Sequence, residues 1–181
     1  MIDIPTYYEV ASALPHIPEN SDKETTKAIL KEYAIRNNFI LTVCQSSEKS
    51  LHFKCKKGGS YKNWRNLSEE DRQRRKKSSR TGCPFYVRLS NKKERGFRYL
   101  PPLTKNEHLH NHSISENDLL DTSIGRKSKL TAEEIEKVKE GIVQNLSTKA
   151  ILKSISSTKG TCKLTIHDIN NSKYAIKNKS D

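Results

Sequence analysis

A set of seven cysteine and histidine side chains supplies the candidate metal ligands of this chain. They are Cys44, Cys55, Cys83, Cys162, His108, His110 and His112. Three of the six histidines stand at alternate positions in the segment HLHNH at 108–112. A closed structural zinc site takes four sulfur and nitrogen ligands in a tetrahedron. These residue types therefore suit a metal site, provided that the fold brings four of them together.

Four of these side chains can meet at the ends of predicted strands. Cys55 ends one predicted strand, and Cys83 opens the next within TGCPF. A long loop between two such strand ends adds only about 0.6 kcal/mol of closure entropy for each doubling of its length. In extended chain, His110 and His112 point to the same side. A ligand set of Cys55, Cys83, His110 and His112 is geometrically reasonable, and His108 is an alternative to either histidine. The chain has no CxxC pair, which excludes a conventional zinc finger.

The composition favours small folded pieces and a polyanionic partner. Of the 181 residues, 33% are hydrophobic, and the mean hydropathy is −0.84. Small domains with little core often depend on a metal ion for their stability. The formal net charge of +13 points to nucleic acid first and to an anionic membrane second.

The cysteines are expected in a reducing compartment. No apolar run reaches the roughly 18 residues that span a bilayer, and the first twenty residues lack the basic and apolar regions of a signal peptide. Metal ligation is then favoured over disulfides. We expect neither a membrane partner nor a small-molecule substrate.

The chain is predicted to be α+β, with a small zinc-stapled antiparallel sheet, an N-terminal helix and a separate helical unit. Residues 1–21, acidic and without Lys or Arg, predict a disordered tail. An α+β domain is predicted over 22–114, with its helix at 22–38. About four strands are expected at 39–45, 50–56, 83–90 and 96–103. Residues 56–80 form a long basic loop between the second and third of these strands.

A linker over 115–130 is predicted to lead into a small trihelical unit over 131–178. Thr131 and Glu134 have the spacing of a capping box, and Ile135, Val138, Ile142 and Leu146 share one helical face. The last helix, within TIHDINNSKYAIK, is consistent with a helix-turn-helix recognition helix. A packed linker or a protein-contact module fits the same pattern.

The basic loop is expected to contact phosphates, to serve as a nuclear import signal, or both, because RQRRKKSSR at 72–80 concentrates positive charge. Tyr61 and Trp64 lie among Lys54, Lys56, Lys57, Lys62 and Arg65. Such aromatic side chains can stack on bases, or Trp64 can pack the loop onto the sheet. The predicted DNA contacts in and beside the loop are Lys54, Lys56, Lys57, Lys62, Trp64, Arg65, Arg72, Arg74, Arg75, Lys76, Lys77 and Arg80.

The segments FKC, GCPFYVRLS and HLHNH resemble the core of the WRKY/glial-cells-missing zinc superfamily. The sequence is more similar to the far-red-impaired-response (FAR-type) DNA-binding domain, through YAIRNNF, FKCKKGG, GCPF and the final HNH. This resemblance covers about residues 22–114. The chain departs from WRKY proteins in lacking the WRKYGQK strand and in having a far longer gap between its cysteines. Specificity for a WRKY-type site is therefore not carried over.

The resemblance implies one structural Zn²⁺ and excludes Cys44 and Cys162 as ligands. It also places the base-reading strand at FILTVCQSS, residues 39–47. The polar side chains expected to reach base edges are Thr42, Gln45, Ser46 and Ser47, with Arg36 near a phosphate. FAR-type domains occur in Mutator-like transposases and in the transcription factors derived from them.

The expected function is therefore zinc-dependent, sequence-specific binding of double-stranded DNA in the nucleus. The protein would be a transcription regulator or the DNA-recognition part of a transposase. An enzyme acting through paired acids and Mg²⁺ is disfavoured, because the acidic residues have no apolar setting in which to converge. The alternative is an RNA-binding or zinc-scaffold protein-interaction module.

Overall fold

A computed structural model describes residues 6–62, 66, 68, 70–71, 78–91, 95–156 and 164–177. The chain divides into two compact units, Met1–Ser115 and Glu116–Asp181, which we call the sheet unit and the helical unit. The prediction of an α+β protein with a four-stranded antiparallel sheet and an N-terminal helix is confirmed. No helix in the described ranges is long and apolar enough to cross a bilayer.

The described residues of the sheet unit form one α-helix and two antiparallel sheets. Its elements are β1 (Tyr8–Glu9), α1 (Lys23–Arg36), β2 (Leu41–Ser46), β3 (Ser50–Cys55), β4 (Tyr86–Ser90), β5 (Arg98–Tyr99), a 3-10 helix (Lys105–His108) and β6 (Leu109–His110). The main sheet has the order β2-β3-β4-β5, and β1 pairs with β6 in a small second sheet. The N-terminal strand β1 is therefore hydrogen-bonded to the strand that carries His110.

Helix α1 begins and ends at residues suited to these positions. The Asp22 carboxylate accepts the N–H of Thr25 at 2.7 Å, and hydrogen bonds from the Thr25 side chain and then from its backbone lower the pKa of Asp22. Beyond the last turn, Asn38 takes a left-handed conformation with φ of 61°. Leu30 and Tyr33 are buried in the same core as the inner face of the main sheet. The helix therefore covers one face of that sheet.

The two faces of the main sheet differ because side chains alternate along β3 and β4. The buried residues of these strands are Leu51, Phe53, Cys55, Val87 and Leu89. Their half-buried neighbours are polar or aromatic and form what we call the outer face. Core and outer face thus lie on opposite sides of a single layer of strands.

A β-bulge in β2 changes which face its side chains occupy. Val43 lies opposite Phe53 and Gln45 lies opposite His52, so Cys44 is the extra residue. Without a bulge, residues 43 and 45 would share a face. The bulge instead puts Gln45 on the outer face. Sequence alternation alone gives no signal for this shift.

The N-terminal segment packs on the sheet unit, which differs from the disordered tail that its composition predicts. Val10, Leu14 and Ile17 lie against the core. Tyr33 donates its hydroxyl hydrogen to the carbonyl oxygen of Ser12 at 2.9 Å, and Tyr99 donates to that of Pro15 at 2.8 Å. Apolar contacts thus hold an acidic segment that lacks helical or strand periodicity.

Five helices form within the described part of the helical unit. They are α2 (Glu116–Leu120), α3 (Ser123–Ser128), α4 (Ala132–Val143), α5 (Thr148–Ser156) and α6 (Ile166–Lys177). The last three match the predicted trihelical unit, and the first two lie within the predicted linker. Thr122 caps α3 by accepting the N–H of Gly125 at 3.0 Å. A Cβ on Gly125 would stand 2.0 Å from the carbonyl oxygen of Leu119, so only glycine allows this approach.

The core of the helical unit lies between α4, α5 and α6. Its buried residues are Val138, Ile142, Ile151, Ile155, Leu164 and Ile169. The predicted capping box of Thr131 and Glu134 is present at the start of α4. The other two residues of the predicted α4 face, Ile135 and Leu146, are 40% and 39% exposed.

A buried ion pair joins α3 to α6. The Asp168 carboxylate accepts two hydrogen bonds from the Arg126 guanidinium, at 2.7 and 3.0 Å, and one from the backbone N–H of Thr165 at 2.9 Å. Burial raises the pKa of Asp168, but hydrogen bonds from Arg126, Ser123 and Thr165 outweigh it and hold that pKa well below its usual range. The carboxylate is therefore ionised and fixes the start of α6.

We expect Asp168→Asn to destabilise the helical unit by about 3 kcal/mol at pH 7, because it leaves the Arg126 charge without its partner. The depressed pKa of Asp168 stabilises the fold above about pH 4, and this contribution is lost as the pH falls further. The gap between wild type and variant in urea unfolding should therefore shrink at pH 3. Glu136→Gln, which breaks an exposed pair with Lys139, is the control and should change little. Equal stability at pH 7 would contradict the role of the pair.

Candidate metal centre

Four side chains converge at one end of the main sheet. The ligand atoms of Cys55, Cys83, His110 and His112 all lie within 4.8 Å of one another. Cys55 Sγ is 3.2 Å from His112 Nε2, and Cys83 Sγ is 3.3 Å from His110 Nδ1. The two histidine nitrogens are 3.2 Å apart. This tetrad, as we call it, is the set predicted from the sequence, and it could hold one metal ion.

The spacing of the tetrad suits a tetrahedral ion. With metal–sulfur bonds of about 2.3 Å and metal–nitrogen bonds of about 2.05 Å, a tetrahedron separates two nitrogens by about 3.35 Å and a sulfur from a nitrogen by about 3.55 Å. The three separations given above lie within a few tenths of an ångström of these values, and all four ligand atoms lie within 4.8 Å of one another. Small movements of the side chains would therefore complete the coordination.

The backbone around Lys57 brings the two cysteines together. The carbonyl oxygen of Lys57 accepts the N–H of Thr81 at 2.9 Å and that of Cys83 at 3.3 Å. In the same turn, the N–H of Gly58 bonds to the carbonyl oxygen of Cys55 at 2.8 Å. A Cβ on Gly58 would lie 2.9 Å from the Cys55 carbonyl oxygen and 3.2 Å from that of Cys83. Glycine is thus required where the two cysteine segments approach.

Asn111 ties the two histidines to the same loop. Its side-chain oxygen accepts the hydroxyl hydrogen of Thr81 at 2.9 Å, and its side-chain nitrogen donates to the Thr81 carbonyl oxygen at 2.9 Å. Residue 111 points away from its neighbours His110 and His112, as alternation in extended chain requires. One polar residue between two ligands therefore fixes their distance from Cys83. Its role was not predicted from the sequence.

Each histidine is oriented by its surroundings. The Nδ1 of His112 lies 2.7 Å from the carbonyl oxygen of Ser113, so Nδ1 carries the hydrogen and Nε2 is left as the ligand atom. His110 is fully buried, stacked on Phe85 with ring centroids 4.4 Å apart and edge-on to Phe39 at 4.6 Å. Both rings thus present a nitrogen to the thiols.

The two thiols differ in acidity because they share a proton. The hydrogen bond from Cys55 lowers the pKa of Cys83, and contacts with His110 and His112 act in the same direction. The contact with Cys83 raises the pKa of Cys55, and burial adds to this effect. Metal binding takes both sulfurs as thiolates and would therefore release the proton that the two thiols share.

The remaining candidate ligands lie elsewhere or outside the described residues. Cys44 is exposed on the outer face, where its sulfur lies 3.4 Å from the Tyr86 hydroxyl oxygen. His108 is exposed at the end of the 3-10 helix and is not among the four converging side chains. Cys162 falls outside the described residues.

The outer face brings together some of the predicted DNA contacts and places other polar side chains beside them. In the first row, Lys54 on β3 lies between Thr42 on β2 and Tyr86 on β4. In the second row, His52 on β3 lies between Gln45 on β2 and Arg88 on β4. These six residues form two rows across β2, β3 and β4, which we call the polar rows. His52, Tyr86 and Arg88 were not among the predicted DNA contacts, because these residues were assigned to strands without regard to the face of the sheet on which they lie.

Other predicted contacts are spread over the sheet unit. Ser46 lies opposite Leu51, on the side away from Gln45, and Arg36 is ion-paired with Glu32 on α1. Arg80 donates to the carbonyl oxygen of Ser60 at 2.9 Å. Lys56, Lys57 and Lys62 follow the end of β3. The predicted contacts at Trp64, Arg65, Arg72, Arg74, Arg75, Lys76 and Lys77 lie outside the described residues.

Comparison of the chain with protein-family models, curated proteins and solved structures gives no match in any of the three. The likeness to FAR-type domains therefore stays a hypothesis carried by the motifs of the sequence. The tetrad itself is independent of that likeness, because it follows from the positions of its four side chains.

We expect Cys55→Ser to abolish tight metal binding, because it removes a buried sulfur ligand that the other three cannot replace. Wild type equilibrated with Zn²⁺ and desalted should contain one ion per chain by elemental analysis. Cys44→Ser and Cys162→Ser are matched controls and should each keep that ion. Retention of the metal by Cys55→Ser would refute the ligand set.

A second variant tests the hydrogen bonds that hold the tetrad together. Asn111→Ala should weaken Zn²⁺ binding roughly tenfold, since groups that orient ligands typically contribute this much. The measurement is competition with a chromophoric chelator. Asn117→Ala, an exposed position in the helical unit, is the control. Equal affinities in the two variants would show that the contact with Thr81 does not position the histidines.

Proposed function

We propose that the tetrad holds one Zn²⁺ in a closed structural site. Two thiolates and two imidazoles are the donor set that zinc takes in such sites, and four protein ligands leave no position for a reactive water. Three of the four residues are buried, and His112 is half-buried. The ion would join the end of β3, the start of β4 and the β6 strand, and would supply stability to a unit with a small core.

We further propose that the sheet unit binds double-stranded DNA through β2 and the polar rows. The observation that carries this proposal is the edge strand β2, whose last three residues are exposed and whose bulge aims Gln45 to the same face as His52 and Arg88. An edge strand has a neighbour on one side only, so it can enter a major groove. Gln and Thr side chains can hydrogen-bond base edges there.

The charge of the polar rows suits a nucleic acid. Lys54 supplies a cation, whereas the charge of Arg88 is paired with Glu107, 3.9 Å away. Burial, followed by the nearby charge of Arg88, lowers the pKa of His52, so this side chain is neutral at pH 7 and can accept as well as donate a hydrogen bond. The lysines beyond β3 would add sequence-independent contacts to phosphate.

With these two roles, the protein would be a DNA-binding factor and not an enzyme. It would act in the nucleus as a transcription regulator or as the DNA-recognition part of a Mutator-like transposase. The motifs shared with FAR-type domains and the net charge of +13 support this role. The zinc ion would have no part in chemistry, since the tetrad fills its coordination.

We expect Gln45→Ala to relax sequence preference while leaving the salt dependence of binding unchanged. The side chain would read a base edge, worth about 1–3 kcal/mol of discrimination, and it neutralises no phosphate. The measurement is fluorescence anisotropy with a duplex selected by wild type and with scrambled duplexes, at several salt concentrations. Lys56→Gln is the contrasting variant and should weaken all duplexes alike, with a salt slope reduced by about 0.9.

Two outcomes would contradict the proposal. If Gln45→Ala lowered the affinity for every duplex equally, the proposal that β2 recognises base edges would be wrong. Preferential binding of RNA when duplex DNA and RNA compete would indicate an RNA-binding module instead.

A further inference from the structure

Helix α6 has one face that the helical unit leaves to solvent. His167, Asn170, Asn171 and Tyr174 stand at positions i, i+3, i+4 and i+7, and all four are exposed, Tyr174 at 70%. We call this the α6 stripe. Asp168 and Ile169, which anchor the helix, are 1% and 0% exposed. The stripe therefore starts beside the anchored first turn of α6.

The composition of the stripe suits base edges better than a protein core. His167, Asn171 and Tyr174 form no side-chain hydrogen bond with any other described residue, so their donors and acceptors remain available. Asparagine can pair with adenine through two hydrogen bonds in the major groove. A major groove is also wide enough to admit one α-helix. An apolar partner would instead require a run of exposed aliphatic residues, and the stripe has none.

The start of α5 lies beside the stripe. Thr148 donates its hydroxyl hydrogen to the side-chain oxygen of Asn170 at 2.8 Å. Ser147 caps α5 by accepting the N–H of Ala150 at 3.2 Å, and Lys149 in this first turn is exposed. A helix N-terminus with an adjacent lysine is suited to a phosphate. Base-reading and phosphate-holding groups thus occur side by side.

Charge is segregated within the helical unit in a way that favours an anion at this place. The acidic residues of α4 are Glu133, Glu134, Glu136 and Glu140. From 144 to 177 the chain has lysines and a single acid, Asp168, which is buried against Arg126. Lys149 and Lys153 lie four residues apart on the exposed side of α5, opposite buried Ile151 and Ile155.

We propose that the helical unit is a second duplex-DNA contact, in which the α6 stripe reads bases and the start of α5 with Lys149 holds a backbone phosphate. The choice of duplex DNA rests on the proposed function of the sheet unit. The chain would then recognise a composite site, with one part for each unit.

The test uses the full zinc-loaded chain and a random duplex library. Wild type should select a motif with two separate parts. Asn171→Ala should lower affinity for the selected duplex roughly tenfold and remove the preference at one part alone. Tyr174→Phe keeps the ring and the fold while removing the hydroxyl, and it should weaken preference at the same part. Gln144→Ala, an exposed position at the end of α4, is the control.

The phosphate contact has its own readout. Lys149→Gln should weaken all duplexes and reduce the salt slope by about 0.9, whereas Lys137→Gln on α4 should leave that slope unchanged. Circular dichroism should give the same melting for each variant as for wild type.

Two results would overturn the inference. The first is an unchanged motif in both Asn171→Ala and Tyr174→Phe, and the second is equal salt slopes for Lys149→Gln and Lys137→Gln. If Gln45→Ala changes the motif and the helical variants do not, the proposed function stands and this inference fails. If the helical variants change the motif and Gln45→Ala does not, the proposal that the sheet unit recognises bases fails and this inference stands.

Discussion

The carbonyl oxygen of Lys57 is the contact on which the architecture of the sheet unit depends. It accepts hydrogen bonds from Thr81 and Cys83, and so returns the chain to the end of β3 after the basic loop. Together with the β3–β4 pairing, which continues in the hydrogen bond from the Cys55 N–H to the Phe85 carbonyl oxygen at 3.1 Å, this closure fixes Cys83 relative to Cys55. Gly58 then allows the two cysteine segments to approach within hydrogen-bonding distance. The metal site is a consequence of this turn as much as of its four ligands.

The tetrad could be predicted because it depends on strand ends. Cys55 and Cys83 lie where neighbouring antiparallel strands must meet, and His110 and His112 share a side of extended chain. The four-stranded sheet and its helix were likewise predicted from the segments between turns. In contrast, the bulge at Cys44 changes the face of Gln45 through a single added residue, and no composition pattern marks that residue.

Tertiary contacts explain the other differences from expectation. The segment around Val10 and Leu14 has the composition of a disordered tail, yet the sheet unit offers it an apolar surface. The segment around Gly125 is polar and basic, yet its cap at Thr122 and its close approach to Leu119 give two short helices. Local composition measures what a segment can bury by itself, and it carries no information on what distant residues will cover.

The pairing of β1 with β6 has a consequence for the order in which the sheet unit can fold. Tyr8 lies opposite His110, so β1 can pair only after β6, about a hundred residues further along the chain, has been made. Contacts of such long sequence separation raise the contact order and slow folding. During synthesis, the β2–β3 hairpin can form early, whereas the N-terminal strand and the complete tetrad become available at almost the same moment. The pairing of β1 with β6 and the binding of a metal ion by the tetrad would thus occur at the same stage of synthesis and at the same end of the sheet unit.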